Sequence, residues 1–218
     1  MSSIYLPDEE KIETHRRYTR ALIKKGDFGK IKFDKKFAKQ GKQGIVGLLD
    51  VENDKNNFKI VYKISQYLNY TIEHEAFIMD VLNGIKTFCP HFCTYYGKIT
   101  NQVDCNYRKS HNPFKVESKR PIFVDTLFME NIEGEKLYTL LKDKSISDNQ
   151  IYSSLKQILL AVGIAQDKTN FTHYDLHSCN VLMKKCDEND VFMYVLDNEN
   201  IICIATYGYY PVIIDYGF

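Results

Sequence analysis

The stretch HYDLHSCNVL (173–182) decides how the rest of the chain is interpreted. It follows a long segment with helical spacing and precedes a β-type run, so it is a loop between two rigid elements. The loop carries the carboxylate of Asp175 and the carboxamide of Asn180. A second stretch, VIIDYGF (212–218), is a short apolar run that continues into Asp215-Tyr-Gly. Together the two stretches offer one base and two oxygen ligands, a set that suits magnesium-assisted phosphoryl transfer.

The apolar periodicity along the chain predicts a mixed architecture. Helical spacing is found over 8–25, 70–83 and 149–167, and the last of these is the strongest helix. Runs of β-type residues occupy 30–64, where turns interrupt them, and then 122–129, 180–186, 191–196, 201–205 and 212–214. A strand-rich first half with one helix, followed by a helix and hairpins, predicts an α+β fold and not a repeating βαβ pattern.

Composition and charge exclude several classes of protein. The chain has 218 residues, of which 44% are hydrophobic and 26% charged, as in ordinary globular domains. Lys+Arg 29 against Asp+Glu 28 gives a net charge of +1, so we expect no nucleic-acid partner. No apolar run is long enough to span a bilayer, and we expect no membrane partner. Six cysteines in a chain without a signal peptide indicate free thiols in a reducing, intracellular and cytoplasmic compartment.

The two motifs resemble the catalytic loop and the metal-binding motif of the eukaryotic protein kinase superfamily. Four further stretches resemble other conserved motifs of that family, and they occur in the same order along the chain. They are G-x-x-G-x-V (41–46), VYKI (61–64), EAFIM (75–79) and LFMENIEG (127–134). The resemblance covers roughly residues 33–218, and a chance match of so many ordered motifs is improbable.

The resemblance implies a bilobal protein-kinase-like fold. An N-terminal extension (1–29) would precede an N-lobe (30–130) that contains an antiparallel sheet and one helix. An incomplete, helical C-lobe (131–218) would follow. The 40 residues from Asp175 to Asp215 are about twice the family's usual distance, which implies a β-hairpin insertion near 186–209.

The resemblance also implies a role for each charged residue of the motifs. Asp175 would orient the acceptor hydroxyl and take its proton. Asn180 and Asp215 would hold Mg²⁺ against the phosphates of ATP. Lys63 would neutralise phosphate charge, and Glu75 would fix that lysine through a salt bridge.

A second group of residues is expected to bind the nucleotide. Backbone N–H groups in the glycine-rich turn would lie over the phosphates, where a side chain would obstruct. The gatekeeper methionine would lie behind adenine, and backbone groups that follow it would hydrogen-bond the base. The residues in question are Gly41, Gly44, Val46, Met129, Glu130 and Ile132.

Three other interpretations of single motifs compete with these assignments. Glu73 is an alternative partner for Lys63, but Glu75 shares its helix face with apolar residues. The run Gly26–Gly29 also resembles a phosphate loop, but it lies too far before Lys63 for one hairpin and is interpreted as a turn. Cys89-x-His91-x-Cys93 suggests zinc, but only three ligands are close and a plain loop is favoured.

Several residues depart from the family pattern. Lys39 replaces the first glycine of the phosphate loop. Tyr174 stands where many kinases have an arginine that binds a phosphorylated activation loop, so this chain is not expected to be switched on in that way. His177 stands where Ser/Thr kinases have lysine, and Asp-Leu-His also occurs in haspin kinases and in aminoglycoside and choline phosphotransferases. This combination, with its Tyr- and Asn-rich composition, resembles kinases of large DNA viruses, which would place the protein in host cytoplasm or the virion.

The sequence stops at Phe218, directly after Asp-Tyr-Gly, whereas a kinase domain continues well beyond that motif. The resemblance therefore implies a fragment, a split product or a degenerate kinase. The apolar surface of the helix at 149–167 should then be exposed, and a partner or a missing chain segment would cover it.

Three functions follow from this pattern. The first is an ATP- and Mg²⁺-dependent serine/threonine-protein kinase, or part of one, whose partner is a protein substrate. The second is a small-molecule phosphotransferase of the aminoglycoside or choline kinase type, which the Asp-Leu-His sequence suggests. The third is a non-catalytic, truncated pseudokinase that acts as a binding module.

Overall fold

The computed structural model describes residues 9–25, 31–40, 44–52, 57–65, 69–103, 122–196 and 200–217. It is a mixed α+β structure whose sheets are antiparallel, as the sequence predicts. Within the described ranges no helix has the length and apolar content needed to cross a membrane.

The described strands follow one another in runs, and the helices lie before and between these runs. The helices are α1 (Glu9–Lys25), α2 (Asn69–Asn83), α3 (Leu137–Lys142) and α4 (Asp148–Thr169), with a 3₁₀ turn at Ser178–Asn180. The strands of the first half are β1 (Ile31–Gln40), β2 (Gly44–Val51), β3 (Phe58–Ser65), β4 (Tyr95–Val103) and β5 (Ile122–Glu130). Those of the second half are β6 (Gly134–Lys136), β7 (Val181–Lys185), β8 (Val191–Val195), β9 (Ile201–Ala205) and β10 (Tyr209–Ile213).

Three sheets contain these strands. The first has the order β1-β2-β3-β5-β4, the second β10-β7-β6, and β8 pairs with β9. The sequence did not predict β4, β6 or the short α3. It also placed the last strand at 212–214, whereas β10 begins at Tyr209 and includes Pro211. A proline is tolerated there because β10 is an edge strand.

Helix α1 covers one face of the first sheet. Its Leu22 is buried in a cluster with residues that alternate along the strands, namely Leu49, Val51, Phe58, Ile60, Tyr62, Tyr96 and Phe128. Arg20 donates from Nε to the Tyr96 carbonyl and from its guanidinium to Asp80 of α2, both at 3.0 Å. A Cβ on Gly97 would lie 2.8 Å from the Ile23 side chain, so glycine allows helix and strand to approach closely. Helix α1, the described part of the segment that the sequence suggests as an extension, therefore packs on the sheet.

Helix α2 packs on the opposite face of that sheet. Its apolar residues recur at helical spacing and join a second buried cluster, which also contains Leu127 of β5 and residues of α4, β7 and β10; the α2 members are Ile72, Ala76, Met79 and Leu82. This cluster is continuous from the first half of the chain to the second. The sheet face that carries α2 is the face on which the candidate site lies.

Both ends of helix α4 are capped by hydrogen bonds. Ser147 and Gln150 form a reciprocal capping box at the N-terminus. Asn170 ends the helix in the left-handed conformation, with φ +55°, and its N–H donates to the Gln166 carbonyl at 2.9 Å. These caps fix the point at which the chain enters the loop 171–180.

Strands β8 and β9 form an antiparallel hairpin in the range where the sequence predicts one. The hydroxyl of Tyr194, in the hairpin, donates a hydrogen bond to Nε2 of His91 at 2.7 Å. Nδ1 of His91 lies 2.8 Å from the Pro211 carbonyl. His91 is fully buried, so it connects the loop after α2 to both β8 and β10. Both ring nitrogens of His91 therefore have partners within the protein.

The cysteines beside His91 are also packed side chains. Cys89 and Cys93 are buried and unbridged. Burial raises the pKa of Cys89 to about 12, which keeps its thiol protonated. No cluster of three or more metal-binding side chains occurs in the part of the chain that the structure describes. The zinc interpretation of this motif gains no support.

We predict that Leu22→Ala lowers the free energy of unfolding by about 2–4 kcal/mol, because it opens a cavity between α1 and the sheet. Urea denaturation measures the change. Leu159→Ala is the matched control, since Leu159 is 73% exposed and its truncation should cost less than about 0.5 kcal/mol. Equal effects of the two substitutions would show that α1 does not belong to the folded core.

We also predict that stability falls as the pH is lowered from 6.5 towards 4. Burial lowers the pKa of His91 from 6.5 to about 4, although its bond to Pro211 opposes the shift. Between these values the unfolded chain binds a proton that the folded chain does not, so protonation favours unfolding. The effect amounts to about 3 kcal/mol over the full interval.

Chemical denaturation at several pH values tests this dependence. His91→Gln should flatten the profile, leaving the smaller contribution of His15, whose pKa burial also lowers. An unchanged slope in the variant would contradict the assignment.

Candidate active site

Lys63 lies on the face of the first sheet that α2 covers. Val46 of β2, Lys63 of β3 and Leu127 of β5 are direct cross-strand partners, so their side chains share one face. The Lys63 side chain is only 13% exposed. A buried ammonium needs carboxylate partners, and the neighbouring elements supply two.

Glu75 of α2 is the first partner of Lys63. The Lys63 Nζ lies 2.8 Å from Glu75 Oε2, and Glu75 is buried. Glu73, the alternative suggested by the sequence, is instead largely exposed and contacts Lys98 at 3.4 Å. The helical face that carries Met79 and Leu82 therefore also carries the lysine's partner, as the periodicity suggests.

Asp215 is the second partner of Lys63. Its Oδ1 lies 2.5 Å from the Lys63 Nζ, and its backbone is left-handed with φ +68°. Asp215 follows β10, which pairs with β7 up to Ile213 and Val181. Three distant segments of the chain thus meet at one ammonium group.

Tyr216 and His173 hold the backbone around Asp215. The Tyr216 N–H donates to Glu75 Oε1 at 3.3 Å, and its hydroxyl donates to the Ile213 carbonyl and accepts from the Cys93 N–H at 3.0 Å. The imidazole Nε2 of His173 lies 3.1 Å from the Ile214 carbonyl. These bonds attach the end of β10 to the loop that contains Asp175.

Asp175 and Asn180 form a second group beside the first. The Asn180 amide nitrogen donates to the Asp175 carbonyl at 3.0 Å and lies 3.4 Å from its Oδ2. The Ile214 N–H donates to the Asn180 carbonyl at 3.0 Å, which joins the loop to the chain just before Asp215. The predicted pair is therefore brought next to the lysine cluster, although no ion pair links Asp175 to Lys63 among the described residues.

Asn180 and Asp215 offer oxygen ligands suited to a hard cation. The Asn180 amide nitrogen is directed to Asp175, which leaves its amide oxygen available. One carboxylate oxygen of Asp215 contacts Lys63, which leaves the other. Mg²⁺ is commonly held by one or two protein oxygens together with phosphates and water. The oxygens of Asn180 and Asp215 match this pattern of coordination.

The residues expected to bind the nucleotide are described in part. Gly41 lies outside the described residues, and Gly44 opens β2 opposite Ser65. Met129 pairs with Val61 and faces the same side as Lys63. The other two follow at the end of β5: the Glu130 N–H is bonded to the Thr94 carbonyl at 2.9 Å, and the Ile132 carbonyl accepts from the Gly134 N–H at 3.0 Å.

A buried polar cluster behind Glu130 was not predicted. Glu130 Oε2 lies 2.7 Å from the Lys86 Nζ and accepts from the Thr94 hydroxyl at 2.6 Å, and Lys86 also contacts that hydroxyl. Burial raises the pKa of Glu130, but the Lys86 ammonium outweighs it and holds the pKa below its usual range. A glutamate at the end of an apolar run signals that a cation must be near, but nothing in the sequence identifies Lys86.

Burial and neighbouring charge have opposite effects on the pKa of Lys63. Burial acts to lower the pKa of Lys63, but the carboxylates of Glu75 and Asp215 outweigh it and raise that pKa above its usual range. Lys63 is therefore a permanent cation near neutral pH. The side chain of its partner Asp215 is 35% exposed, so a ligand can reach the cluster from that side. A cation at such a place is suited to bind an anionic ligand.

We predict that Lys63→Met lowers the free energy of unfolding by about 3 kcal/mol or more, because Glu75 is left buried without its cation. The double variant Lys63→Met/Glu75→Leu should be more stable than the single variant, since no buried charge remains unpaired. Urea denaturation of both variants measures the difference. The control Glu73→Leu should change stability by less than about 1 kcal/mol because its ion pair is exposed.

Comparison with known proteins gives relatives but no family model that matches. The chain is 32% identical over 209 residues to "Uncharacterized protein 098R" of Invertebrate iridescent virus 6, an alignment that covers 78% of this chain and 34% of that protein. It is 27% identical over 212 residues to "Probable kinase 098L" of Invertebrate iridescent virus 3, which covers 96% of this chain and 34% of that protein. The chain thus spans about a third of the length of both proteins. A nematode relative, "Uncharacterized protein ZK177.2" of Caenorhabditis elegans, is 25% identical over 184 residues, 84% of this chain and 57% of that protein. By sequence the chain is therefore similar to proteins of iridescent viruses, one of which is named a probable kinase.

Proposed function

We propose that this chain carries the phosphotransferase site of a serine/threonine-protein kinase that uses ATP and Mg²⁺. The observation that carries the proposal is the Lys63 ammonium between Glu75 and Asp215, at 2.8 and 2.5 Å. The name of the relative from Invertebrate iridescent virus 3 supports a kinase-like activity. The sheet with α1 and α2, and the elements that follow Ile132, would be the two lobes of a kinase-like fold.

Each residue of the site has a chemical task in this proposal. Lys63 neutralises charge on the ATP phosphates, and Glu75 keeps its ammonium in place. Asp175 accepts a hydrogen bond from the acceptor hydroxyl and takes its proton as the phosphate is transferred. Asn180 and Asp215 hold Mg²⁺, which when bound stabilises negative charge on the phosphate oxygens.

The adenine ring would lie against the sheet face that carries Val46 and Met129. The Glu130 carbonyl and the Ile132 N–H would hydrogen-bond its edge, because the Glu130 N–H and the Ile132 carbonyl are bonded to Thr94 and Gly134. The turn that contains Gly41 and Gly44 would lie over the phosphates. The Lys86–Glu130 pair supports this arrangement because it fixes the end of β5 to the loop after α2.

A small-molecule phosphotransferase is the second candidate, and a specific residue favours it. His177 lies 3.5 Å from Asp175 and stands where Ser/Thr kinases usually have lysine, and the sequence Asp-Leu-His also occurs in aminoglycoside and choline phosphotransferases. A non-catalytic binding module is the third candidate. The exposed apolar face of α4, with Tyr152, Leu155 and Leu159 at 65%, 46% and 73% exposure, supports a contact with a partner or a further chain segment.

We predict that Mg²⁺-ATP, at about a hundred times its Kd, raises the melting temperature by about 5 °C or more, because the ligand binds only the folded chain. Differential scanning fluorimetry measures the shift, with ATP plus EDTA as the metal-free arm. Lys63→Met and Asp215→Asn should abolish the shift. Lys59→Met is the matched control on the same strand, since Lys59 forms an exposed ion pair with Asp50, and it should retain the shift.

Transfer of the labelled γ-phosphate of ATP then separates the three candidates. Phosphorylation of serine or threonine in a protein substrate such as casein, lost in Asp175→Asn, is the expected result. Phosphorylation of aminoglycosides or choline alone would favour the small-molecule enzyme. An ATP shift without any transfer would favour the binding module, and no shift in the unmodified chain would overturn the proposal.

A further inference from the structure

His177 caps the short turn that follows the Asp175 loop. Its imidazole Nδ1 accepts a hydrogen bond from the Cys179 N–H at 3.1 Å, at the start of the 3₁₀ turn Ser178–Asn180. A backbone N–H can only donate, so Nδ1 must present its lone pair. The neutral imidazole therefore carries its proton on Nε2.

The Nε2 atom of His177 lies near the carboxylate of Asp175. Nε2 lies 3.5 Å from Asp175 Oδ2. The Asn180 amide nitrogen approaches the same oxygen at 3.4 Å. The nitrogens of both side chains thus lie within 3.5 Å of Oδ2.

The approach of Asn180 to His177 agrees with this assignment. The Asn180 amide nitrogen and His177 Nε2 lie 3.5 Å apart. With the proton on Nε2 both atoms are donors, so they share one acceptor and do not bond each other. The Asp175 Oδ2 is that acceptor, and Oδ1 has no such donors among the described residues.

We propose that His177 is a positioning residue for Asp175. It holds Oδ2 so that Oδ1 is the oxygen turned towards an acceptor hydroxyl. The last step rests on the proposed phosphotransferase function, whereas the tautomer and the contact do not. Both side chains are about half exposed, so the contact adds little to stability and acts on orientation.

Two carboxamide variants separate the hydrogen bond at Nδ1 of His177 from the contact of its Nε2 with Asp175. In His177→Asn, the side-chain oxygen replaces Nδ1 and keeps the cap on the turn, but no donor reaches Asp175. In His177→Gln, the longer side chain places its NH₂ group near the position of Nε2. Only His177→Asn keeps the cap, so unfolding measurements should give it a stability equal to or higher than that of His177→Gln, and a loss of kcat in His177→Asn alone is then not a loss of folding.

The expected kinetic result is a split between the variants. We expect His177→Asn to lower kcat by about tenfold or more while KM for ATP stays within about twofold, since a misdirected base slows transfer and not binding. His177→Gln should retain most of kcat. A Gln variant no faster than the Asn variant, or an Asn variant as fast as the unmodified chain, overturns the proposal.

A second measurement needs neither nucleotide nor activity. Two-bond ¹H–¹⁵N correlation spectra of histidine-labelled chain, recorded at about pH 8 where an ordinary imidazole is neutral, report which nitrogen of each ring carries the proton. The His177 signals are assigned by their loss in His177→Gln. A proton on Nε2 supports the proposal, and a proton on Nδ1 or an average of both overturns it. If the chain transfers no phosphate, the proposed function fails, and this spectrum still decides the position of the His177 proton.

Discussion

The cost of burying the Lys63 ammonium constrains the whole arrangement. An isolated buried cation is strongly disfavoured, so the fold must bring carboxylates to it from elsewhere in the chain. Glu75 comes from α2 and Asp215 from the end of β10, and both lie within 2.8 Å of Nζ. The helix, the first sheet and the second sheet are therefore held in one relative position, which is also the position that brings Asn180 next to Asp215.

Both faces of the first sheet contribute to that position. Helix α1 fills the face opposite Lys63, and its Arg20 reaches Asp80 of α2, one and a half turns beyond Glu75. On the other side of the site, His91 ties the loop after α2 to Tyr194 and Pro211. The elements that carry the lysine's partners are thus attached at points away from the lysine itself.

The sequence predicted those parts of the structure that depend on local pattern. The helices α2 and α4, the hairpin of β8 and β9, and the grouping of Asp175 with Asn180 all follow from periodicity or short spacing. The pairing of Lys63 with Glu75 and Asp215 joins segments far apart in the chain, and only the family resemblance suggested it. Strand β4 was missed because its pairing contains a bulge near Gly97 and its residues are mostly polar. The Lys86 partner of Glu130 was missed because tertiary packing alone brings them together.

The backbone conformation of Asp215 and its ion pair with Lys63 are difficult to explain by stability alone. Tyr174 and Asp215 both adopt left-handed backbone conformations, with φ +61° and +68°. Such conformations cost about 1–2 kcal/mol for most residues other than glycine, whereas aspartate and asparagine adopt them more readily. A buried ion pair is also a poor stabiliser compared with apolar side chains of similar volume. Left-handed residues other than glycine also occur at Lys144, Asn170 and Tyr207, but Asp215 is itself a partner of the buried Lys63 ammonium. Strained backbone positions cluster at binding and active sites, so the left-handed conformation of Asp215 beside Lys63 agrees with the proposed function.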